Sequence, residues 1–199
     1  MDLNAPYFLC AMPKMDDEQF RTSVVLVAAH DEDGAFGLIL NMPVVDEEAK
    51  QAQMTAEVKD MTGAILLSVT EDLFLGGPVE AEAIFALHDM PALGTEDSRI
   101  EDDLYLETDP EVFQKILGAD GQSEKRRFFL GCSQWEAGQL ESEIRQGAWM
   151  PLPCDRRVLF EERPATEAES VEVWKQVLRR GGVDPLTLMG QGGSDSGPN

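Results

Sequence analysis

The sequence predicts an α/β protein that mixes helices and strands in one domain, and three observations support this prediction. Short apolar runs alternate with turns that contain Gly, Pro or Asp, which is typical of strands. Two amphipathic stretches with clear start and stop residues predict helices. Residues 127–150 join an apolar run, a glycine turn, a helical stripe and a second apolar run, as α/β units do. A chain of 199 residues can bury its own core, and we assign residues 1–189 to that domain.

The first half of the chain predicts a β-hairpin followed by weaker elements. Residues 23–30 and 35–41 are apolar strand candidates, and Asp33-Gly34 forms the turn between them. Residues 47–60 predict a helix with a thin alanine face, whereas residues 65–69 fit either a helix or a strand.

Turn residues mark the centre of the chain. Residues 73–75 form a short apolar run that ends at the turn Gly76-Gly77-Pro78. Residues 83–88 and 104–106 predict two further strands, and an exposed acidic loop joins them.

Capping residues predict two helices in the second half. Asp109 caps a helix that has Pro110 at its first position and stops at Gly118. Thr166 and Glu169 match a capping box at the start of another helix, which ends before Gly181. Between these helices, residues 158–160 predict a short strand. The low-complexity residues 190–199 predict a disordered tail.

Residues 127–150 contain the densest pattern in the chain. The run 128–130 predicts a buried strand that ends at Gly131, and a short turn through Ser133 leads into a helix closed by Gly147. The apolar stripe of that helix has spacings of three and four: Ala137, Leu140 and Ile144. Residues 148–150 then open another apolar segment.

Charge is the strongest physical constraint on function. The chain has 16 basic and 38 acidic residues, a net charge of −22. Residues 1–119 alone contain 6 basic and 25 acidic side chains, a balance of −19. Affinity for nucleic acid depends mainly on Lys and Arg that neutralise phosphates, so this charge disfavours direct DNA binding. A solvated acidic surface is its simplest interpretation.

Cysteine usage and the N-terminus predict a soluble cytoplasmic protein. The three cysteines, Cys10, Cys132 and Cys154, are odd in number and far apart, which argues against a disulfide framework. The first twenty residues contain no basic segment before a long apolar core, so no secretory signal is predicted. The apolar runs are too short to cross a bilayer.

Three separated blocks share the order and spacing of one family's motifs. Residues 11–44 contain Met-Pro, Phe-x-x-Ser-Val-Val, His-x-x-Asp-Gly-Ala-x-Gly-Leu and Asn-x-Pro, in that order. In the family pattern, the serine of the second motif can also be threonine. Residues 75–79 contain Gly-Gly-Pro-Val, and residues 131–141 contain a Trp followed by Gly-Gln-Leu-Glu. Together these blocks resemble the YqgE/AlgH family of bacterial proteins over most of residues 5–160.

This resemblance implies a compact α/β fold with an irregular, partly barrel-like sheet and packed helices. It implies no defined activity, although the family's name associates it with transcriptional regulation of alginate production. The chain departs from the family pattern at three positions. Met42 stands where arginine is common, Cys132 where tyrosine is common, and Gln134 where glycine is common.

The glycine-marked turns of the three blocks are the candidate binding sites. The candidate residues are His30, Asp33, Gly34, Gly76, Gly77, Pro78, Gly131, Cys132, Trp135 and Gln139. Each residue type also has a structural interpretation: a positive-φ turn for the glycines, a strand-end contact for the histidine and core packing for the tryptophan.

Cys132 is predicted to lie on a strand-to-helix turn, where a helix N-terminus can lower the pKa of a thiol. However, no glycine lies two residues after Cys132 or Ser133, so the pattern is not a nucleophile elbow and packing is the favoured role. His30 and His88 are the only histidines, and no Cys-x-x-Cys or His-Glu-x-x-His motif anchors a metal site.

The sequence therefore favours a non-enzymatic regulatory or protein-interaction module, with neither cofactor nor metal. It would contact an unidentified protein partner through the turns at 30–34, 76–79 and 131–138. One alternative is a small-ligand binder or enzyme with a pocket near His30, Gly76-Gly77 and Cys132. Another is a direct DNA-binding regulator, which would require the short basic stretches at 125–127, 156–157 and 179–180 to converge.

Overall fold

The structure is a computed structural model that describes residues 3–44, 73–119 and 125–190. Its strands are β1 (Tyr7–Ala11), β2 (Val24–Asp31), β3 (Gly34–Ile39), β4 (Leu73–Leu75), β5 (Val79–His88), β6 (Arg99–Glu101), β7 (Leu104–Glu107), β8 (Arg126–Glu136) and β9 (Trp149–Pro153). Its helices are α1 (Pro110–Gly118), α2 (Gln139–Arg145), α3 (Arg156–Phe160), α4 (Glu167–Arg180) and α5 (Pro185–Gly190), and a 3-10 turn spans Glu18–Phe20. The predicted elements at 47–60 and 65–69, and residues 191–199 of the predicted tail, lie outside the described residues.

The strands form one curled, half-barrel sheet, which confirms the mixed fold class. Their order across the sheet is β6-β7-β5-β8-β3-β2-β1-β9, and neighbouring strands along this path are antiparallel. Only β4 departs from the path, since it pairs with β8 in parallel. At one edge, Pro151 and Pro153 of β9 remove backbone donors that could pair with another strand.

Strand β8 is the organising element of the sheet because it pairs with three others. One of its edges pairs with β5. The opposite edge pairs with β3 at residues 133–136 and with β4 at residues 128–130. Gly76 fills the gap between these two partners: its N–H donates to Leu130 O at 2.8 Å, and its carbonyl accepts from Ile39 N at 2.9 Å.

Gly131 lies inside β8, so the prediction that it ends the strand is wrong. The strand continues for five residues beyond it: Gly131 adopts a left-handed φ of 69° where the register with β5 is irregular, and the pairing with β5 resumes at Cys132. Helix α2 begins only at Gln139, after Gly138 with φ 74°. A glycine after an apolar run has two outcomes, and here the pairing with β3 selects continuation.

Alternation along the central strands sends side chains to two faces, and helices cover both. Phe8 and Leu26 point to the face covered by α4, where Trp174 donates its indole N–H to Ala11 O at 2.8 Å. Val25 and Val27 point to the opposite face, together with residues of α2. A third apolar cluster joins α1 to β5 and the first half of β8.

A buried arginine ties several segments of the core together. Arg127 is fully buried, and its guanidinium donates to the carbonyl oxygens of Leu40, Val158 and Leu159. The guanidinium carbon lies 3.9 Å from the centre of the Phe74 ring. Leu40 follows the last residue of β3, and Val158 and Leu159 belong to α3. The arginine therefore fixes both elements against β8.

Most other predicted elements agree with the structure, with two further errors. The β2–β3 hairpin is confirmed, but its two-residue turn is Glu32-Asp33, and Gly34 is the first residue of β3, where it pairs with Asp31. The two capped helices are confirmed, with Asp109 Oδ1 accepting from Glu111 N and Thr166 Oγ1 accepting from Glu169 N. The strand predicted at 158–160 is wrong, because these residues belong to α3. Asp155 caps that helix by accepting from Arg157 N, and three apolar residues are too few to distinguish a strand from one helical turn.

We expect Gly131→Ala to lower the free energy of unfolding by about 2 kcal/mol or more, because left-handed backbone is costly for alanine and its Cβ would lie 2.5 Å from Gly77 O. Gly118→Ala is the matched control, since nothing lies within 4 Å of a Cβ there. This control should leave stability unchanged or slightly higher. Urea unfolding followed by circular dichroism measures both, and equal midpoints would contradict the expected strain.

Candidate functional site

The residues of the third motif block form a hydrogen-bonded cluster beneath α2. The indole N–H groups of Trp135 and Trp149 both donate to Glu143 Oε2, at 3.0 and 2.7 Å. Gln139 donates to Glu143 Oε1 at 2.8 Å and accepts from Glu136 N at 2.9 Å. Both tryptophans are buried, so this cluster fastens α2 to β8 and β9 and presents no binding platform.

His30 belongs to a second polar chain at the edge of the same helix. Its Nδ1 lies 2.9 Å from the Tyr7 hydroxyl, and its Nε2 lies 3.2 Å from Glu141 Oε1. Burial, followed by the charge of Glu141, raises the pKa of Tyr7 to about 12. Since Tyr7 is buried and stays protonated, the chain connects β1, β2 and α2 and offers no exposed nucleophile.

His30 and Cys132 lie on opposite faces of the sheet. His30 pairs with Ala35 of β3, and Ala35 pairs with Trp135 of β8, which puts these three side chains on one face. Cys132 precedes Trp135 by three positions and belongs to the apolar cluster of the other face. The two residues therefore do not line one pocket, contrary to the small-ligand alternative.

Cys132 lies in the interior of β8, so its predicted place on a strand-to-helix turn is also wrong. Its side chain is fully buried, and burial raises its pKa, with an opposing hydrogen bond from Gln134. Burial likewise raises the pKa values of Cys10 and Cys154 to about 12. None of the three thiols is in an environment that favours the reactive thiolate.

His88, the second histidine, is a core residue between β5 and β7. Its Nδ1 accepts from Met90 N at 3.2 Å, and its ring stacks on Tyr105 with 5.4 Å between the ring centres. Burial lowers its pKa to about 4, so the ring is neutral at physiological pH. Within the described ranges, no group of three or more His, Cys, Asp or Glu side chains could hold a metal ion.

Two motif segments line a surface groove, and this groove is the candidate functional site. One cleft of about 450 Å³ lies between Asn41-Met42-Pro43, residues 18–23 and the first turns of α4. A second cleft of about 360 Å³ lies between Met42 and Gly77-Pro78, with Ala81 at its rim. Met42 lines both clefts, so we treat them as two halves of one Met42 groove.

The glycine turns shape the wall of this groove by packing closely against β8. A Cβ on Gly76 would lie 2.2 Å from Gly131 O, and one on Gly77 would lie 2.3 Å from Cys132 O. Ser133 Oγ also donates to Gly76 O at 3.0 Å. Glycine is required here for backbone contact, and the exposed Pro78 is the part of the turn that faces solvent.

The other wall is held by Asn41, which sequence reasoning did not select as a site residue. Asn41 is buried: its Oδ1 accepts from Val24 N at 2.8 Å, and its Nδ2 donates to the carbonyls of Thr22 and Ser170, both at 2.9 Å. The Asn-x-Pro pattern was the available indication. A polar residue at the end of a buried strand needs local partners, and here they are the backbone groups around the groove.

The structure separates the predicted site residues into three groups. Gly76, Gly77, Pro78, Gly131 and Cys132 meet where the β4–β5 connection crosses β8. Gly34, Trp135 and Gln139 meet at the end of β8, where Gly34 pairs with Glu136. Asp33 lies exposed at the hairpin tip, and His30 lies beside Glu141. Only Gly77 and Pro78 line the groove.

The basic stretches do not converge on an open anion site. Lys125 pairs with Glu161 at 2.8 Å, and Arg180 pairs with Glu162 at 2.9 Å. Arg126 donates to the carbonyls of Ile116 and Ala119, and Arg127 is buried. Of the helices in the described ranges, none is both long and apolar enough to span a membrane.

A curled sheet with helices on both faces, together with glycine motifs that act in packing, defines a small α/β domain of one recognisable class. The sequence profile of the AlgH-like family (DUF179) matches residues 8–186, and the chain belongs to that family.

Relatives and solved structures agree with this assignment. The chain is 33% identical to the UPF0301 protein YqgE of Escherichia coli and 33% identical to a UPF0301 protein of Cronobacter sakazakii, each over 94% of this chain and 96% of the relative. The solution structure of AlgH from Pseudomonas aeruginosa aligns over the full length of both chains, with a TM-score of 0.64 and 28% identity. A crystal structure from Corynebacterium diphtheriae, at 24% identity, shares the fold over 90% of this chain and 88% of that chain, with a TM-score of 0.58.

We expect the three thiols to react slowly with a disulfide reagent such as DTNB in the native protein at mildly alkaline pH, because burial raises their pKa values. Cys154, the one partly exposed cysteine, should react first. Denaturation should make all three thiols react at once. A single rapid thiol that Cys132→Ser removes would contradict this expectation and revive a reactive role for Cys132.

We expect Glu143→Gln to destabilise the fold by about 1–2 kcal/mol, because an amide cannot accept from two indoles and Gln139 as the carboxylate does. Glu136→Gln is the control, since the Glu136 side chain is exposed. Urea unfolding followed by tryptophan fluorescence compares the two variants. Coincident curves would show that the carboxylate contributes little to holding α2.

Proposed function

We propose that the chain is a non-enzymatic regulatory protein that acts by binding another protein through the Met42 groove. The observation that supports this proposal most directly is the convergence of two motif segments on one surface. Asn41-Met42-Pro43 and Gly77-Pro78 are far apart in sequence, and both line the groove. By contrast, Gly76 and Gly131 are engaged in close backbone contacts, and Trp135 and Gln139 are engaged in internal hydrogen bonds.

The chemistry of the groove favours binding over catalysis. Its titratable lining residues are Glu18, Arg21 and Glu167, and within the part of the chain that the structure describes none of their side chains is hydrogen-bonded to a hydroxyl or a thiol. Asn41, the polar group of the floor, is already bonded to three backbone groups and positions the wall. A groove of this kind can recognise a segment of chain but has no acid–base pair to transform it.

Electrostatics favour a protein partner over DNA. A net charge of −22 repels phosphates, and five cations of the basic stretches bond to internal carboxylates or carbonyls: Lys125, Arg126, Arg127, Arg156 and Arg180. A role in transcriptional regulation, which the family name suggests, would then proceed through contact with a protein that itself binds nucleic acid or controls such a protein.

Site-specific photo-crosslinking in the host bacterium tests this proposal. A benzophenone amino acid at Ala81, exposed at the groove rim, should give a discrete cross-linked protein. The same group at the exposed Gln114 on α1 is the matched control and should give none. The captured protein, identified by mass spectrometry, must then bind the purified chain. The absence of a product at Ala81, or equal products at both positions, would overturn the proposed function.

A further inference from the structure

The two halves of the Met42 groove differ in chemistry. The half beside α4 is polar, with Glu18, Arg21, Ser23, Asn41, Glu167 and Ser170 around it. The half beside the glycine turn is mostly apolar, with Ile39, Leu75, Leu130, Pro78 and Ala81 around it and Gln19 as a polar side chain of its lining. The flexible Met42 side chain separates the two halves and can adapt to either occupant.

On the floor of the polar half, the side chains of Asn41 and Ser170 have their donors occupied and offer acceptors. Both amide protons of Asn41 are used by the carbonyls of Thr22 and Ser170. The Ser170 hydroxyl donates to Thr166 O at 3.0 Å, which leaves only its lone pairs for a ligand. A group that binds to this floor must therefore supply its own N–H or O–H donors.

Ser23 adds an unsatisfied polar atom to the same half. The residue is only 2% exposed, and its Oγ has no hydrogen-bond partner among residues 3–44, 73–119 and 125–190. Its backbone is occupied, since Ser23 N donates to Phe20 O and Ser23 O accepts from Ala11 N. A buried hydroxyl without a partner is costly, and an incoming N–H donor bonded to the Ser23 oxygen would relieve part of that cost.

The rim carries a net negative charge, with Glu18 and Glu167 against Arg21, and this charge favours a positively charged donor group on the ligand. Glu167 forms no ion pair within the described ranges, and Arg21 lies 4.0 Å from Glu18. At the α4 N-terminus, Thr166 Oγ1 accepts from Glu169 N, and the carboxylates of Glu167 and Glu169 in the first turn disfavour an anion there. Acceptors below and carboxylates above favour a cation.

Building on the proposed function, we propose that the Met42 groove binds a partner segment in which a lysine or arginine lies close to an apolar residue. The cationic head lies between the rim carboxylates and the acceptor floor, and its aliphatic stem follows Met42 and Pro43. The apolar residue fills the half between Leu75, Pro78 and Ala81. Acidic segments and purely apolar segments are rejected, because each leaves one half of the groove uncompensated.

Fluorescence anisotropy with short labelled peptides tests this pairing on the full chain. Four peptides in a Gly/Ser background compare Arg with Leu, Arg alone, Leu alone, and Glu with Leu, at about 150 mM salt to screen nonspecific attraction. The peptide with both residues should bind at least about tenfold more tightly than any of the others. Equal binding of the Arg-only peptide would overturn the proposal, since general attraction to a polyanion would then explain it.

Groove variants locate the binding and separate it from folding effects. Glu167→Gln should lower the affinity for the Arg-Leu peptide severalfold, whereas Glu32→Gln at the exposed hairpin tip should leave that affinity unchanged. Met42→Arg should abolish binding, because the chain's own cation then occupies the acceptor floor. Ser23→Ala should raise the melting temperature of the protein by removing an unsatisfied hydroxyl, yet it should lower the affinity for the Arg-Leu peptide. Equal losses in Glu167→Gln and Glu32→Gln would overturn the proposal.

The peptide and crosslinking results distinguish the two proposals. A protein cross-linked at Ala81, combined with no preference for the Arg-Leu peptide, removes the inferred partner chemistry and leaves the proposed function in place. Failure of both experiments removes both. A preference for the Arg-Leu peptide that Met42→Arg abolishes and Glu167→Gln weakens supports the inference whatever the identity of the partner.

Discussion

The fold depends on the close approach of the β4–β5 connection to strand β8. Gly76 lies between β3 and β8, where it donates to Leu130 O and accepts from Ile39 N and Ser133 Oγ. Any side chain at Gly76 or Gly77 would collide with the backbone of Gly131 or Cys132. This contact lies where one edge of β8 changes partner from β3 to β4, and it gives Leu130 O and Ile39 N hydrogen-bond partners at that point.

The same contact builds the groove. Because the connection is held against β8, Pro78 and the nearby Ala81 of β5 lie across the groove from Met42. Met42 is the third residue after the end of β3. Asn41 secures the other wall through Val24, Thr22 and Ser170, so α4 is part of the same arrangement. The glycines of the motif therefore act on a partner indirectly: they place the wall, and the neighbouring side chains make the contacts.

Local patterns predicted much of this fold because they report local chemistry. The β2–β3 hairpin and the helices capped by Asp109 and Thr166 follow from a few adjacent residues, although the hairpin turn is Glu32-Asp33 and not Asp33-Gly34. Gly131 could not be assigned in this way. Its role depends on the pairing of β8 with β3, a strand nearly a hundred residues earlier in the chain. The groove could not be predicted from local patterns either, because the strand order of the sheet is what brings Asn41, Gly77 and Ser170 together.

The charge distribution and the groove contribute to different parts of recognition. The positive groups of the basic stretches are largely consumed inside the fold: Arg127 in the core, and Lys125 and Arg180 on neighbouring carboxylates. What remains outside is an excess of carboxylates, which attracts cationic surfaces over several ångströms and accelerates encounter with any of them. That long-range attraction cannot distinguish one basic protein from another. Discrimination must then come from the groove, where a donor and an apolar side chain have to fit on either side of Met42 at once.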